Sequence, residues 1–268
     1  MIPKIIHYVW LGDKELPEPD RTYVEGWKKL LPDWEIKCWG LEAIKGLDDP
    51  FLKETLSVRS WVFASDWIRL YALATEGGFY LDTDVELKST LEPFRSHDLC
   101  FGLNRNLHPQ TAVLGSVPHQ PLIEELLETY SKRKFIKGDG VYDVTASNTV
   151  YRRMFLRHGV DLEKLSPEQQ HDVLPGVRIY PTAVLCRPCG DPAVNVAHHH
   201  VKGTWAAPYE RKQVIDLPFG YRLIRIKRRG RAKAEDAPRP RTPCRCSPTR
   251  NAVSRSGSGR RCSSSQRW

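Results

Sequence analysis

The chain has 268 residues, 40% of them apolar and 27% charged, which is ordinary for one sizeable soluble domain, alone or with an appendage. No apolar stretch approaches the roughly 18 residues that suggest a membrane span. The net charge of +9 is unevenly placed: from Arg222 onward there are 13 Arg and 2 Lys against one Glu and one Asp, whereas Met1–Tyr221 hold 26 basic and 30 acidic residues. The body is mildly acidic, so the overall basicity does not license a nucleic-acid reading.

In chain order, residues 2–11 (IPKIIHYVWL) read as a buried strand, and not as a signal peptide, so the expected compartment is the cytoplasm. GDKELPEPD follows as a loop. Residues 21–31 have helical spacing, with Tyr23, Trp27, Leu30 and Leu31 on one face, and DWEIKCW alternates as a second strand. Residues 41–56 suggest a short helix, a break at DDP and another helical turn. Residues 58–75 form the most convincing helix, apolar nearly all round and therefore buried. Glu76-Gly77-Gly78 stops it, and FYL makes a strand that ends at Asp82-Thr83-Asp84. DLCFGLN and TAVLGS are two more strands, QPLIEELLETYSKR and ASNTVYRRMFLRHG are helices, and VRIYPTAVLC and NVAHHHV are late strands. The alternation indicates α/β.

Composition divides the chain into a domain over 1–221 and a basic Arg/Ser/Pro/Cys tail over 222–268. The tail has too few aliphatic residues to offset its ordering entropy and reads as disordered. It is either a basic tether to anionic lipid or nucleic acid or a dispensable extension, and the second reading is preferred. The seven cysteines are odd in number and irregular in spacing, so no disulfide framework is expected, and Cys186-x-x-Cys189 is a lone pair with a weak claim on zinc.

The chemistry is expected at Asp82 and Asp84. On an extended chain residues i and i+2 point to one side, so two carboxylates at a strand end converge and repel unless a cation lies between them. Oxygen donors suit a hard divalent ion, Mn2+ or Mg2+, that keeps positions for phosphate oxygens. The preceding helix carries Arg59, Asp66 and Arg69 on one face among apolar residues, where charges are costly unless paired or functional.

FASDWIRLYALATEGGFYLDTDVE resembles the signature of glycosyltransferase family 32, a family of DXD-containing sugar transferases that includes capsular polysaccharide transferases and Och1-like mannosyltransferases. IPKIIHYVWLG resembles the start of that family, and the likeness extends over roughly residues 2–205. The resemblance implies a GT-A type fold, with a mostly parallel central sheet flanked by helices and the donor lying across the strands' carboxyl ends. It implies that Trp10 borders the nucleobase, that Asp66 and Arg69 contact the donor sugar, that Asp82 lies near ribose and metal, and that Asp84 holds the metal directly. His198 or His200, which share a side, would complete the metal shell, with Trp205 closing over the diphosphate. His7 is expected in the core, Asp139 and Asp143 have weak claims, and Asn148 departs from the turn common in relatives. The implied partners are a UDP- or GDP-sugar and a saccharide or lipid-linked saccharide acceptor, with transfer retaining anomeric configuration. No specific nucleic acid is implied, and any membrane contact would be peripheral, at the inner face, through the tail. Two rivals are weighed. An HAD-type phosphatase would use Asp82 as nucleophile, but its first Asp belongs near the N-terminus. A non-catalytic binding protein would act through the tail.

Overall fold

The computed structural model describes residues 1–104, 106–138, 141–188, 191–201, 209–217 and 221–228, the last two stretches as backbone only. The chain divides into residues 1–229 and residues 230–268, the second unit lying outside the described residues. The expectation of a disordered tail therefore falls almost wholly outside them.

Strand β1 (Ile5–Val9) leads to helix α1 (Asp20–Leu30), which buries Val24 and Trp27 and has Asp20 in its first turn and Lys28 and Lys29 in its last, each favoured by the helix dipole. Strand β2 (Glu35–Trp39) follows, then α2 (Pro50–Ser57), where Asp49 caps by accepting from the Leu52 amide at 2.9 Å and Pro50 occupies the first turn. Helix α3 (Trp61–Glu76) lies against α2, β1 and β3 (Gly78–Leu81), which is why its sequence is apolar on nearly every side. Beyond β3 come β4 (Val85–Leu87), β5 (Leu99–Leu103), β6 (Pro109–Ser116) and α4 (Pro121–Ser131), which covers α3's remaining side and is capped by the Gln120 side chain. Then follow β7 (Ile136–Gly138), β8 (Val141–Tyr142), α5 (Ser147–Arg157), β9 (His171–Leu174), β10 (Val177–Tyr180), α6 (Thr182–Leu185), β11 (Ala197–His199), β12 (Tyr209–Leu217) and β13 (Tyr221–Arg228).

The central sheet has the order β2-β1-β3-β6-β5-β10-β9. Strands β2, β1, β3, β5 and β10 run one way and β6 and β9 the other, because β6 pairs antiparallel with both neighbours and β9 with β10. The sheet is thus mostly parallel by strand direction, as expected of the GT-A type. Alternate residues of β3 feed two cores: Tyr80 joins Trp67, Leu70, Phe101 and Leu114, whereas Phe79 and Leu81 join Ile6, Trp27 and Val113. Each fully buried large apolar side chain contributes roughly 1.5–3 kcal/mol.

Two glycines make the return from α3 into β3. Gly77, at φ 65°, donates its amide to Leu73 O and ends the helix. Gly78, at φ 94°, passes so near β1 that an added Cβ would lie 2.6 Å from Ile5 O. A small sheet pairs β11 with β4, and a second one has the order β12-β13-β8-β7.

The structure departs from the sequence reading at several places, among them strands β4, β7, β8, β9 and β12, which the sequence reading did not place. Helix α3 starts at Trp61 and not at residue 58, since Arg59 has φ 52° and lies outside the helix. No helix forms over 41–49; α2 begins at Pro50, where Asp49 supplies the cap. The strand read over 177–186 ends at Tyr180, and Pro181 opens the helical turn α6. Finally, β13 carries regular structure to Arg228, so the composition boundary at 221/222 falls inside a strand paired with β12.

Candidate active site

The site forms at the carboxyl ends of β1 and β3. Every residue of β3 is buried, and Asp82 continues its ladder by donating its amide to Ala112 O at 2.9 Å. The Val85 amide then donates back to Asp82 O at 3.0 Å, so Thr83 and Asp84 form a tight turn. The two aspartates do converge, through this turn and not through the pleat of a continuous strand. Helix α1 holds the turn from behind: Trp27 Nε1 donates to Val85 O at 2.9 Å, and Thr83 Oγ1 donates to Asp20 Oδ2 at 3.3 Å.

Asp82 is clasped on one oxygen. Its Oδ1 accepts from Tyr80 OH at 2.8 Å and from Arg69 Nη2 at 3.3 Å, which leaves Oδ2, among the described contacts, for a cation or a hydroxyl. Arg69 also pairs with Asp66 at 3.3 Å, donates to Thr111 O at 3.0 Å and lies over the Tyr80 ring at 4.6 Å. Asp66 and Arg69 are each only 4% exposed. One guanidinium therefore serves two carboxylates in a dry setting. Burial pushes the Asp66 carboxyl up to about 6; Arg69 opposes that shift and Asp82 adds to it. Burial works against the Arg69 charge, but Tyr80, Asp82 and Asp66 outweigh it and hold Arg69 well above its ordinary value. Its Nε is buried without a hydrogen-bond partner among the described residues. Ser147, on α5, hydrogen-bonds Asp66, and its hydroxyl lies 3.3 Å from Thr111 Oγ1.

The third corner of the carboxylate pair is His199. Its Nε2 lies 3.2 Å from Asp84 Oδ1, and one ligand atom each of Asp82, Asp84 and His199 lie within 4.8 Å of one another. Its Nδ1 lies 2.7 Å from the amide nitrogen of Gln110, which also reaches Cys186 Sγ at 3.1 Å. Two carboxylates and one imidazole make an oxygen-dominated donor set that fits Mn2+ or Mg2+. The 3.2 Å separation is also near the roughly 3 Å between adjacent ligands of an octahedral ion with 2.0–2.1 Å bonds.

His198 and His200, expected to complete this shell, lie elsewhere. They share a side as anticipated, but in β11 register His198 opposes Glu86 and His199 opposes Val85, so alternation sends only the middle histidine to the aspartates. His198 and His200 stack at 4.1 Å and gather with Glu86. Burial, then the neighbouring His200, holds His198 below its ordinary value.

Trp10 follows β1 directly and reaches the same sheet end; it is half-buried, and its Nε1 donates to Lys14 O at 2.6 Å. Trp205 and Asp139 lie outside the described residues, as does Cys189 of the CxxC pair. Arg59, off the helix, pairs with Asp13 on the surface at 3.7 Å and does not join Asp66 and Arg69. Asp143 is buried in a structural pair with Arg133 at 3.1 Å, and Asn148 lies on α5. His7 is a core histidine: Trp39 Nε1 donates to its Nδ1 at 3.1 Å, so its Nε2 donates to Gly77 O at 2.8 Å, and burial keeps it neutral.

Sequence reasoning missed Gln110, Tyr80, Ser147 and His199. Gln110 was visible as an amide among apolar strand residues, and His199 as the odd member of an alternating triplet.

Residues 17–101 match a family model described as a glycosyltransferase sugar-binding region containing a DXD motif. The chain is 24% identical over 191 residues to an uncharacterized glycosyltransferase of Acanthamoeba polyphaga mimivirus, covering 68% of this chain and 74% of that one. It is 35% identical over 96 residues to inositol phosphoceramide mannosyltransferase 3 of Schizosaccharomyces pombe, covering 34% of this chain but only 27% of that one. Among solved structures it is similar to the PaToxG glycosyltransferase, with TM-score 0.48 and 16% identity over 62% of this chain and 80% of that one. Asp82 and Asp84, gathered at one sheet end, lie inside residues 17–101, the stretch of this chain that is similar to the DXD-containing sugar-binding region of glycosyltransferases.

Proposed function

We propose that this protein moves a hexose from a nucleotide-sugar to a saccharide or glycolipid acceptor, in a reaction that needs a divalent cation and retains anomeric configuration. The carrying observation is the gathering of Asp82, Asp84 and His199 at the carboxyl end of β3, with the buried Asp66–Arg69 pair directly behind. The names of the fungal relatives favour mannose as the sugar and a phosphoinositol lipid as the acceptor class.

Asp84 and His199 would hold the cation, with Asp82 Oδ2 alongside. When bound, the cation would neutralise charge that develops on the departing diphosphate. Arg69 and Tyr80 keep Asp82 from turning away, and Arg69 Nε is a donor in reserve for a donor hydroxyl or phosphate oxygen. Trp10 supplies an aromatic edge for a nucleobase at the same end. Gln110 orients His199: its amide nitrogen donates to Nδ1, which puts the ring hydrogen on Nε2 toward Asp84, and a cation at Nε2 would displace that hydrogen to Nδ1 and turn the Gln110 amide oxygen toward it. Contact with a lipid acceptor is proposed to be made at a membrane surface; among the described residues no helix is long and apolar enough to cross a membrane. The basic tail would favour an anionic one.

The test is transfer and binding with UDP- and GDP-sugars, with Mn2+ and with chelator, in the native chain and in Asp84→Asn. Wild-type binding should need the metal, and Asp84→Asn should lose transfer while keeping its thermal unfolding midpoint. Equal nucleotide affinity with chelator and manganese would refute the cation's role. Release of phosphate from an aryl phosphate without sugar transfer would favour the phosphatase.

A further inference from the structure

Three consecutive histidines, two on β11 and one just past its end, serve two donor sets. His199 goes to the aspartates, whereas His198 and His200 emerge on the other side and meet Glu86 from β4. This second set is nitrogen-rich, with two imidazoles and one carboxylate, and its three ligand atoms lie within 4.8 Å of one another.

We propose that Glu86, His198 and His200 form a second divalent-cation site, of the zinc class, on the side of β11 opposite His199. Two imidazoles with one carboxylate suit a borderline ion, in contrast to the oxygen-dominated set at Asp82 and Asp84. One edge of the site already has the right length. His200 Nε2 lies 3.1 Å from Glu86 Oε2. Adjacent ligands of a tetrahedral zinc with bonds near 2.0–2.1 Å are about 3.3 Å apart. The cation takes the place of the hydrogen between those two atoms.

The site is also supported from outside. Lys88 Nζ binds the other oxygen, Glu86 Oε1, so the carboxylate keeps an outer partner when Oε2 turns to a metal. Tyr23 of α1 stacks on His200 at 4.8 Å and 4°, and His198 stacks on the same ring at 28°, so both imidazoles are held before any ion arrives. The β4–β11 pairing and the bond from the His200 amide to Asp84 O at 3.0 Å fix the backbone beneath them. The site is a three-ligand one, with a fourth position for water or another group.

The test uses the metal-free full chain and zinc, with cobalt as a spectroscopic probe. Zinc affinity is read by competition with a chromophoric chelator in wild type, Glu86→Gln, His198→Asn and Asp84→Asn. Wild type should bind one zinc that Asp84→Asn retains and that each of the other two variants weakens by at least about tenfold. The cobalt form should show the intense visible bands of a tetrahedral ion without a thiolate charge-transfer band. Circular dichroism reports the folding of each variant, and if one of the outer variants unfolds the other decides. Unchanged zinc affinity in the folded outer variants overturns the proposal. So does zinc binding lost only in Asp84→Asn, or a thiolate band, which would place the metal on cysteines.

Discussion

The sharpest consequence of the buried charge cluster concerns Asp66→Asn and pH. Asp66 is 4% exposed and shares its ion-pair partner, Arg69, with Asp82, while Arg133 exerts a weaker pull. Its carboxyl is raised from 3.8 to about 6, chiefly by burial. Between those values the folded protein holds a proton that the unfolded chain has lost. Unfolding therefore releases a proton, and stability falls as pH rises through the window. At 1.36 kcal/mol per pKa unit the total is about 3 kcal/mol. Asparagine keeps the side chain's size and carries no such proton. Urea unfolding of the metal-free wild type and of Asp66→Asn, in steps from about pH 4 to about pH 8, isolates the effect, since carboxylates common to both cancel in the difference. Wild-type stability minus that of Asp66→Asn should drop by roughly 2.5 kcal/mol across the range, since part of the loss is already complete at about pH 4, with the steepest fall between the two pKa values. A flat difference would refute the desolvation argument. A difference that rises with pH would mean that the Arg69 pairing dominates and that Asp66 is an ordinary stabilised carboxylate.

Other perturbations probe the frame around the aspartates. Gly78→Ala places a Cβ 2.6 Å from Ile5 O at φ 94°, and should cost at least about 2 kcal/mol in urea unfolding; an unchanged midpoint would contradict the close approach of β1 and β3. Trp27→Phe strips Val85 O of its indole donor, which should cost roughly 1–2 kcal/mol and weaken Mn2+ binding by loosening the aspartate turn. Gln110→Glu should tighten Mn2+ binding and Gln110→Met should weaken it, measured by calorimetry, because metal on His199 Nε2 moves the ring hydrogen to Nδ1, where a carboxylate accepts it more strongly than an amide oxygen and a thioether scarcely at all. If both Gln110 variants weaken binding equally, the amide has only a packing role.

Much of the frame was legible because local chemistry and tertiary context agree there. The apolar helix, the Gly77-Gly78 return and the strand running into Asp82 sit where the sequence puts them, since only a buried helix tolerates that pattern and only glycine tolerates those turns. The pairing of Asp66 with Arg69 follows from their three-residue spacing on α3. Strand β4, three residues long, was too short to show a period and owes its existence to pairing across more than 100 residues with β11, which lies inside the stretch read as a late strand. That pairing fixes which histidine faces inward. Counting along the triplet identifies the two that share a side; only the register against Val85 and Glu86 says which side meets the aspartates. The partners of Gln110 could not be read from the sequence for a related reason, since His199 and Cys186 are 89 and 76 residues away.

The charge balance of the cluster ties its stability to its proposed activity. Asp66 and Asp82 share the Arg69 guanidinium, and Asp84 lies against His199, which is charged only if protonated. With Asp66 and Asp82 both ionised, two carboxylates share one guanidinium, an excess of about one negative charge, and Asp66, raised first by burial and then by Asp82, holds its proton up to about pH 6. A divalent cation at Asp82 and Asp84 cancels that excess. It would also withdraw the field of Asp82 that raises Asp66, so metal and proton should compete across the shared guanidinium. On this reading the metal-free site is strained by its own like charges, and the cation that prepares it for a diphosphate is the same one that relaxes it.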